Sequence, residues 1–195
     1  MNVFGDHHRR SIRLKGYDYS RDGAYFVTIC VQNRGPVFGA VKNGKMVLNN
    51  LGKTAEMYWC AIPFHYPHAI LDLFVIMPNH VHGVVVIDND ACGNPVFVGA
   101  NNYSPLRTHS PLPIQDGARP RGTSKTIGAV IRGYKIGVTK WARNNLKMHD
   151  VWQRNYYENI IRDDRSLNRI REYICNNPAK WESDRNKPDR AIQRK

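Results

Sequence analysis

The sequence predicts an α+β domain built on a mainly antiparallel sheet. Three observations carry that expectation. Strand-like alternation occupies two stretches of the first ninety residues, an Asn-Gly hairpin signal lies between them, and helical periodicity is confined to separate segments. At 195 residues the chain is long enough to bury one substantial core. Its 42% apolar and 23% charged residues are ordinary for a globular protein.

Gly23 to Gln32 alternates cleanly, with Tyr25, Val27, Ile29 and Val31 on one face and Phe26, Thr28, Cys30 and Gln32 on the other. Both faces are largely apolar, which predicts an internal strand, ended by Asn33-Arg34-Gly35-Pro36. Val37 to Leu48, centred on Asn43-Gly44, reads as a β-hairpin. The period then changes. Leu51, Ala55, Tyr58, Trp59 and Ile62 fall at helical spacing over Asn50 to Ile62, and Pro63 closes the segment. Leu71 to Ile87 is two apolar strand-like runs joined by a Pro78-Asn79 turn.

Asp88 to Gly122 is rich in Pro, Asn, Gly and Ser and predicts a long, mobile connection. Ser124 can cap the next element. There Ile127, Val130, Ile131, Tyr134, Val138 and Trp141 make an amphipathic helix whose other faces carry Lys125, Arg132, Lys135, Lys140 and Arg143. Gly128, Gly133 and Gly137 weaken such a helix by ~1 kcal/mol each relative to Ala, which implies close backbone packing. Val151 to Tyr157 reads as a further strand. Asp163 or Asp164 can cap a last helix lined by Leu167, Ile170 and Ile174 and ended by Pro178. Residues 1–24 form a basic arm, 25–178 the domain, and 179–195 a charged tail with Trp181 docked.

Charge points to the partner. Lys and Arg number 29 against 16 acidic residues, a net charge of +13, so a polyanion is expected, with nucleic acid ahead of an anionic membrane surface. No run approaches the ~18 apolar residues of a membrane span. Met1 to Arg13 is charged without an apolar core, so no secretory signal is expected. Cys30, Cys60, Cys92 and Cys175 are scattered, with no Cys-x-x-Cys, which fits a reducing cytoplasm and argues against both a disulfide framework and a Cys-rich zinc site. Phosphate contacts are assigned to Arg9, Arg10, Arg13 and Lys15 of the arm and to Lys125, Arg132 and Lys135 of the basic helix.

The chemistry is read from His80-Val81-His82. On a strand these two side chains share one face, about 7 Å apart along it, which makes half of a metal site. Tyr173 and Asn177 stand one helical turn apart. The Asn177 amide oxygen could complete a His, His, Asn set, and a tyrosine beside such a metal can attack a phosphodiester to form a phosphotyrosine. A Glu four or five residues after His82 would suggest a cupin, but Val86 and Ile87 stand there. Tyr156 and Tyr157 are alternative nucleophiles without an amide one turn on.

Met77-Pro78-Asn79-His80-Val81-His82-Gly83, together with Arg10 to Tyr19, Tyr25 to Thr28, Trp152 to Tyr157 and Tyr173-Ile174-x-Asn176-Asn177-Pro178, resembles the single-tyrosine HUH transposases of the IS200-like kind. The branch it is most similar to is the REP-associated tyrosine transposases. The resemblance covers the chain except the 88–122 connection and the tail. It implies a ferredoxin-like fold, with His80, His82 and Asn177 as ligands of Mg²⁺ or Mn²⁺ and Tyr173 as the catalytic nucleophile. It implies cleavage and rejoining of single-stranded DNA near hairpins through a 5′-phosphotyrosine, in a cytoplasmic, nucleoid-associated protein, with a homodimer within the family's range. The rival expectation is a module that binds hairpin DNA without cutting it. A basic protein of the RNA machinery would leave His80, His82 and Asn177 without a role.

Overall fold

The structure is a computed structural model that describes residues 17–90, 125–184 and 186–188. The expectations placed on Arg9, Arg10, Arg13 and Lys15, on Ser124 and on most of the 88–122 connection lie outside the described residues.

Strand β1 (Gly23–Cys30) leads into a small hairpin, β2 (Gly39–Lys42) and β3 (Lys45–Leu48), followed by helix α1 (Asn50–Cys60) and a single turn, α2 (Ile62–His65). Strands β4 (Ala69–Met77) and β5 (His80–Ile87), helix α3 (Ile127–Leu146), strand β6 (Tyr157–Ile161) and helix α4 (Asp164–Asn176) complete the domain. The main sheet has the order β4-β5-β1-β6, every neighbour antiparallel. Strands β1 and β4 therefore run parallel with β5 between them, as β5 and β6 do with β1 between them. Two interleaved βαβ units of this kind make the ferredoxin-like arrangement that the motifs imply.

Alternation along the strands separates two layers. Tyr25, Val27 and Ile29 of β1 and Val81, Val85 and Ile87 of β5 are fully buried in one cluster with Trp59 of α1 and Val130, Ile131, Tyr134 and Val138 of α3. Phe26, Thr28 and Cys30 project to the opposite face, where they stand beside Val84, His82 and His80. That face is crossed by α4. On β4 the register slips between Leu71 and Phe74, so two residues oppose Val84 alone. This bulge keeps both Leu71 and Phe74 on the core side and leaves Asp72 facing α4.

Local chemistry explains the boundaries. Asn43 and Gly44 both take positive φ, as the tight hairpin turn demands. Asn49 caps α1 by accepting from Gly52 N–H, and Asp163 caps α4 by accepting from Ser166 N–H. A Cβ on Gly133 or Gly137 would run into the Tyr66 or Tyr58 side chain, so at these two glycines of α3 the close packing is against tyrosine rings instead of backbone.

Three sequence expectations need correction. Helix α3 is capped by Thr126, which accepts from Ala129 N–H. Pro63 opens the short α2 instead of closing the first helix, because a proline is harmless where no helical N–H bond is due. The last strand is Tyr157–Ile161; in the predicted 151–157 run, Trp152 makes only an isolated bridge to Val31. Lys135 accounts for that shift. Its ammonium bonds the Gln153 and Asn155 carbonyls at 2.7 and 2.9 Å, and its own carbonyl accepts from the Trp152 indole, which ties the run to α3.

Candidate metal and nucleophile site

The site is built on β5, a central strand paired on both sides, where His80 and His82 are buried on the face that α4 covers. The side chains converge beyond what strand spacing alone gives: their ring centroids are 4.4 Å apart. Each imidazole is held at Nδ1 by a neighbour. Asn79 Oδ1 lies 2.8 Å from His80 Nδ1, and Thr28 Oγ1 lies 2.8 Å from His82 Nδ1. Partners of this kind fix ring orientation in metal sites. Gly83 follows because Trp59 of α1 lies against its α-carbon from the core side, where a Cβ would collide with the indole.

Helix α4 delivers Tyr173 to the histidines. Its hydroxyl is 3.2 Å from His82 Nε2, while Phe26 stacks on His82 and meets the Tyr173 ring edge-on. Tyr173 is 41% exposed, so a side chain seated on a buried pair still faces solvent. Two residues earlier on the same helix, Arg171 forks onto Asp72, with Nε at 3.0 Å and Nη2 at 2.6 Å from Oδ2. Asp72 is nearly fully buried on the β4 bulge, so this pair fastens α4, with Tyr173, to the sheet.

A third donor, an acidic one, comes from a segment read as tail. Trp181 and Asp184 are buried, and the Trp181 ring lies 6.1 Å from His80. Asp184 places a carboxylate oxygen within 4.8 Å of nitrogens of both His80 and His82. Asn177 belongs to the same cluster through its Nδ2, which donates to Asp184 Oδ2 at 3.1 Å. Its Oδ1 is buried with no hydrogen-bond partner, an acceptor left over next to the Asp184 carboxylate. Two nitrogens, a carboxylate and an amide oxygen suit a divalent cation such as Mg²⁺ or Mn²⁺. No sequence signal singled out Asp184: it lies 102 positions beyond His82 in a charged run, and only the fold brings it home.

The remaining expected residues are elsewhere. Lys125 and Arg132 are exposed, but α3 packs on the sheet face opposite the histidines. Lys135 is committed to two main-chain carbonyls, and burial lowers its pKa from the ordinary lysine value. Tyr157 is exposed on the site face, directly across from Thr28, so β1 separates it from His82. Tyr156 packs against the core.

A relative from Haemophilus influenzae, an uncharacterized protein, is 47% identical over 92% of this chain and 93% of its own length. Another protein from the same organism, provisionally named a REP-associated tyrosine transposase, is 24% identical over 84% of this chain and 74% of that protein. Among solved structures, a REP-associated tyrosine transposase bound to a REP hairpin superposes with a TM-score of 0.50 at 15% identity, covering 85% of this chain and 72% of that one. No protein-family model matches the chain. The similarity to REP-associated tyrosine transposases read from the motifs is thus met in sequence and in fold.

Proposed function

We propose that this chain, which belongs to one family with the 47%-identical Haemophilus protein and carries the fold of a REP-associated tyrosine transposase, is a metal-dependent enzyme that nicks and rejoins single-stranded DNA near hairpins. The observation that carries the reading is the Tyr173 hydroxyl 3.2 Å from His82, beside a buried His-His-Asp group. The net charge of +13 supports a polyanionic substrate, and the hairpin follows from what the similar solved structure holds. Among the described residues no helix is long and apolar enough to cross a membrane. A cytoplasmic, nucleoid-associated setting belongs to the proposal.

In this reading His80, His82 and Asp184 hold Mg²⁺ or Mn²⁺, with the Asn177 amide oxygen beside them. The metal, when bound, supplies charge neutralisation at the scissile phosphate. The Tyr173 phenolic oxygen attacks phosphorus and forms a P–O bond to the protein. The phenol gives up its proton as the bond from phosphorus to the 3′ oxygen breaks, and that oxygen takes up a proton and leaves as a free 3′-hydroxyl. The 5′-phosphotyrosine retains the phosphodiester bond energy, so a 3′-hydroxyl can reverse the step without ATP. Phe26 and the Arg171–Asp72 pair orient the tyrosine. Arg9, Arg10, Arg13 and Lys15, with Lys125 and Arg132, supply phosphate contacts.

The test is covalent trapping with labelled single-stranded hairpins from the flanks of the gene, with and without Mg²⁺ or Mn²⁺. A metal-dependent protein–DNA adduct that disappears in Tyr173→Phe is expected. An adduct that persists in that variant would move the chemistry to another tyrosine. Tight binding without an adduct from the parent protein would favour the non-catalytic hairpin-binding module.

A further inference from the structure

We infer that Asn79 is a positioning residue that presets the metal-binding form of His80 and anchors the segment that carries Asp184. The inference rests on the metal-site reading above. Asn79 is 1% exposed and sits in the turn between β4 and β5. Its Nδ2 donates to the Arg34 carbonyl at 2.8 Å and to the Asn186 carbonyl at 2.7 Å. Carbonyl oxygens only accept, so these two partners dictate which end of the amide is nitrogen. The other end, Oδ1, then faces His80 Nδ1 at 2.8 Å. Oδ1 also only accepts, so the neutral imidazole carries its proton on Nδ1 and its lone pair on Nε2. That is the tautomer in which Nε2 serves as the ligand atom.

The same amide reaches the third donor. Asn186, whose carbonyl Asn79 holds, donates its own N–H to Asp184 Oδ1 at 2.6 Å. One side chain therefore orients His80 directly and Asp184 through a short stretch of backbone. The two histidines differ in this respect. His82 has the Thr28 hydroxyl at Nδ1, a group that can give or take a proton, so its tautomer can answer to Tyr173. His80 is fixed, and His82 adapts.

The test uses the full chain, metal-free and then titrated with Mn²⁺. The ring protons of His80 are located by nitrogen-15 NMR at a pH where imidazoles are neutral. Asn79→Asp keeps an acceptor for His80 but can donate to neither carbonyl; Asn79→Ala loses both functions. The parent and Asn79→Asp should show His80 protonated on Nδ1, and Asn79→Ala a mixture. Mn²⁺ affinity should fall roughly 10–100-fold in both variants, the range that loss of an outer-shell partner costs. Should Asn79→Ala fail to fold, the parent and Asn79→Asp suffice. An Nε2-protonated His80 in the parent, or Mn²⁺ affinity within about twofold of the parent in a folded variant, would overturn the inference. Neither measurement needs DNA, so a missing covalent adduct would sink the nuclease reading and leave this one standing.

Discussion

Arg171 and Asp72, 99 positions apart in sequence, form a forked ion pair that fixes the helix bearing Tyr173 against the bulge of β4. The bulge is what turns the carboxylate toward the helix. Arg171→Ala would leave that buried carboxylate without its partner and should lower stability by about 2 kcal/mol, less than for a fully buried pair because the guanidinium is a third exposed. Adduct formation should slow further than stability alone accounts for, with Mn²⁺ affinity unchanged. Denaturant titration and trapping kinetics on the same preparation separate the two effects.

Asp184 gives a test of the donor set. Asp184→Asn keeps size and can still accept from Asn177, but removes the charge that faces two imidazoles. Mn²⁺ affinity should drop at least tenfold, on the scale of about 10–100-fold for ligand-shell losses. Electron paramagnetic resonance of bound Mn²⁺ measures it without any DNA. Unchanged affinity would remove Asp184 from the site.

Gly83 is a packing prediction. A methyl there would meet the Trp59 indole, so Gly83→Ala should cost about 1–3 kcal/mol by overpacking. Because Gly83 directly follows His82, the strain should also weaken metal binding. Gly83→Ala combined with Trp59→Phe should recover part of the lost melting temperature, which calorimetry would register.

The cations on α3 and just before it should divide into two kinds. Lys135→Ala should cost about 1–2 kcal/mol by leaving two carbonyls short of a donor, and should leave DNA affinity intact in the folded fraction. Lys125→Ala and Arg132→Ala should leave stability unchanged. Each should reduce the salt dependence of single-stranded DNA binding by a slope of about 0.7, the value of one lost phosphate contact. Equal binding and equal salt slopes in all four proteins would remove α3 from the DNA interface.

The alternation of Gly23 to Gln32, the paired apolar runs of Leu71 to Ile87 and the 3.6-residue period of Ile127 to Trp141 made the α+β layout readable from the chain, because burial on one face imposes those periods. That His80 pairs with His82 and Tyr173 with Asn177 on common faces was legible for the same reason: a strand or helix fixes the relative direction of residues two or four apart; their roles came from the family resemblance. Boundaries were less so. Val151 to Tyr157 has the composition of a strand, yet only an isolated bridge around Trp152 meets the end of β1, Lys135 and Trp152 tie the backbone to α3, and the continuous ladder with β1 begins at Tyr157.

Only tertiary structure decided the rest. Local periodicity carries no information about which distant segments meet, so nothing near Asp184 announced its approach to His82, nor Asp72 its approach to Arg171. The sequence by itself determined the elements, the face of the strand that bears the histidines and the turn of helix that bears the tyrosine. The fold decided that Asp184 completes the donor set and that Asn79 spends its whole amide on His80, Arg34 and Asn186. It also put α3 and its cations behind the sheet, because the apolar stripe that makes α3 a helix is the stripe that must be buried in the core, away from the site.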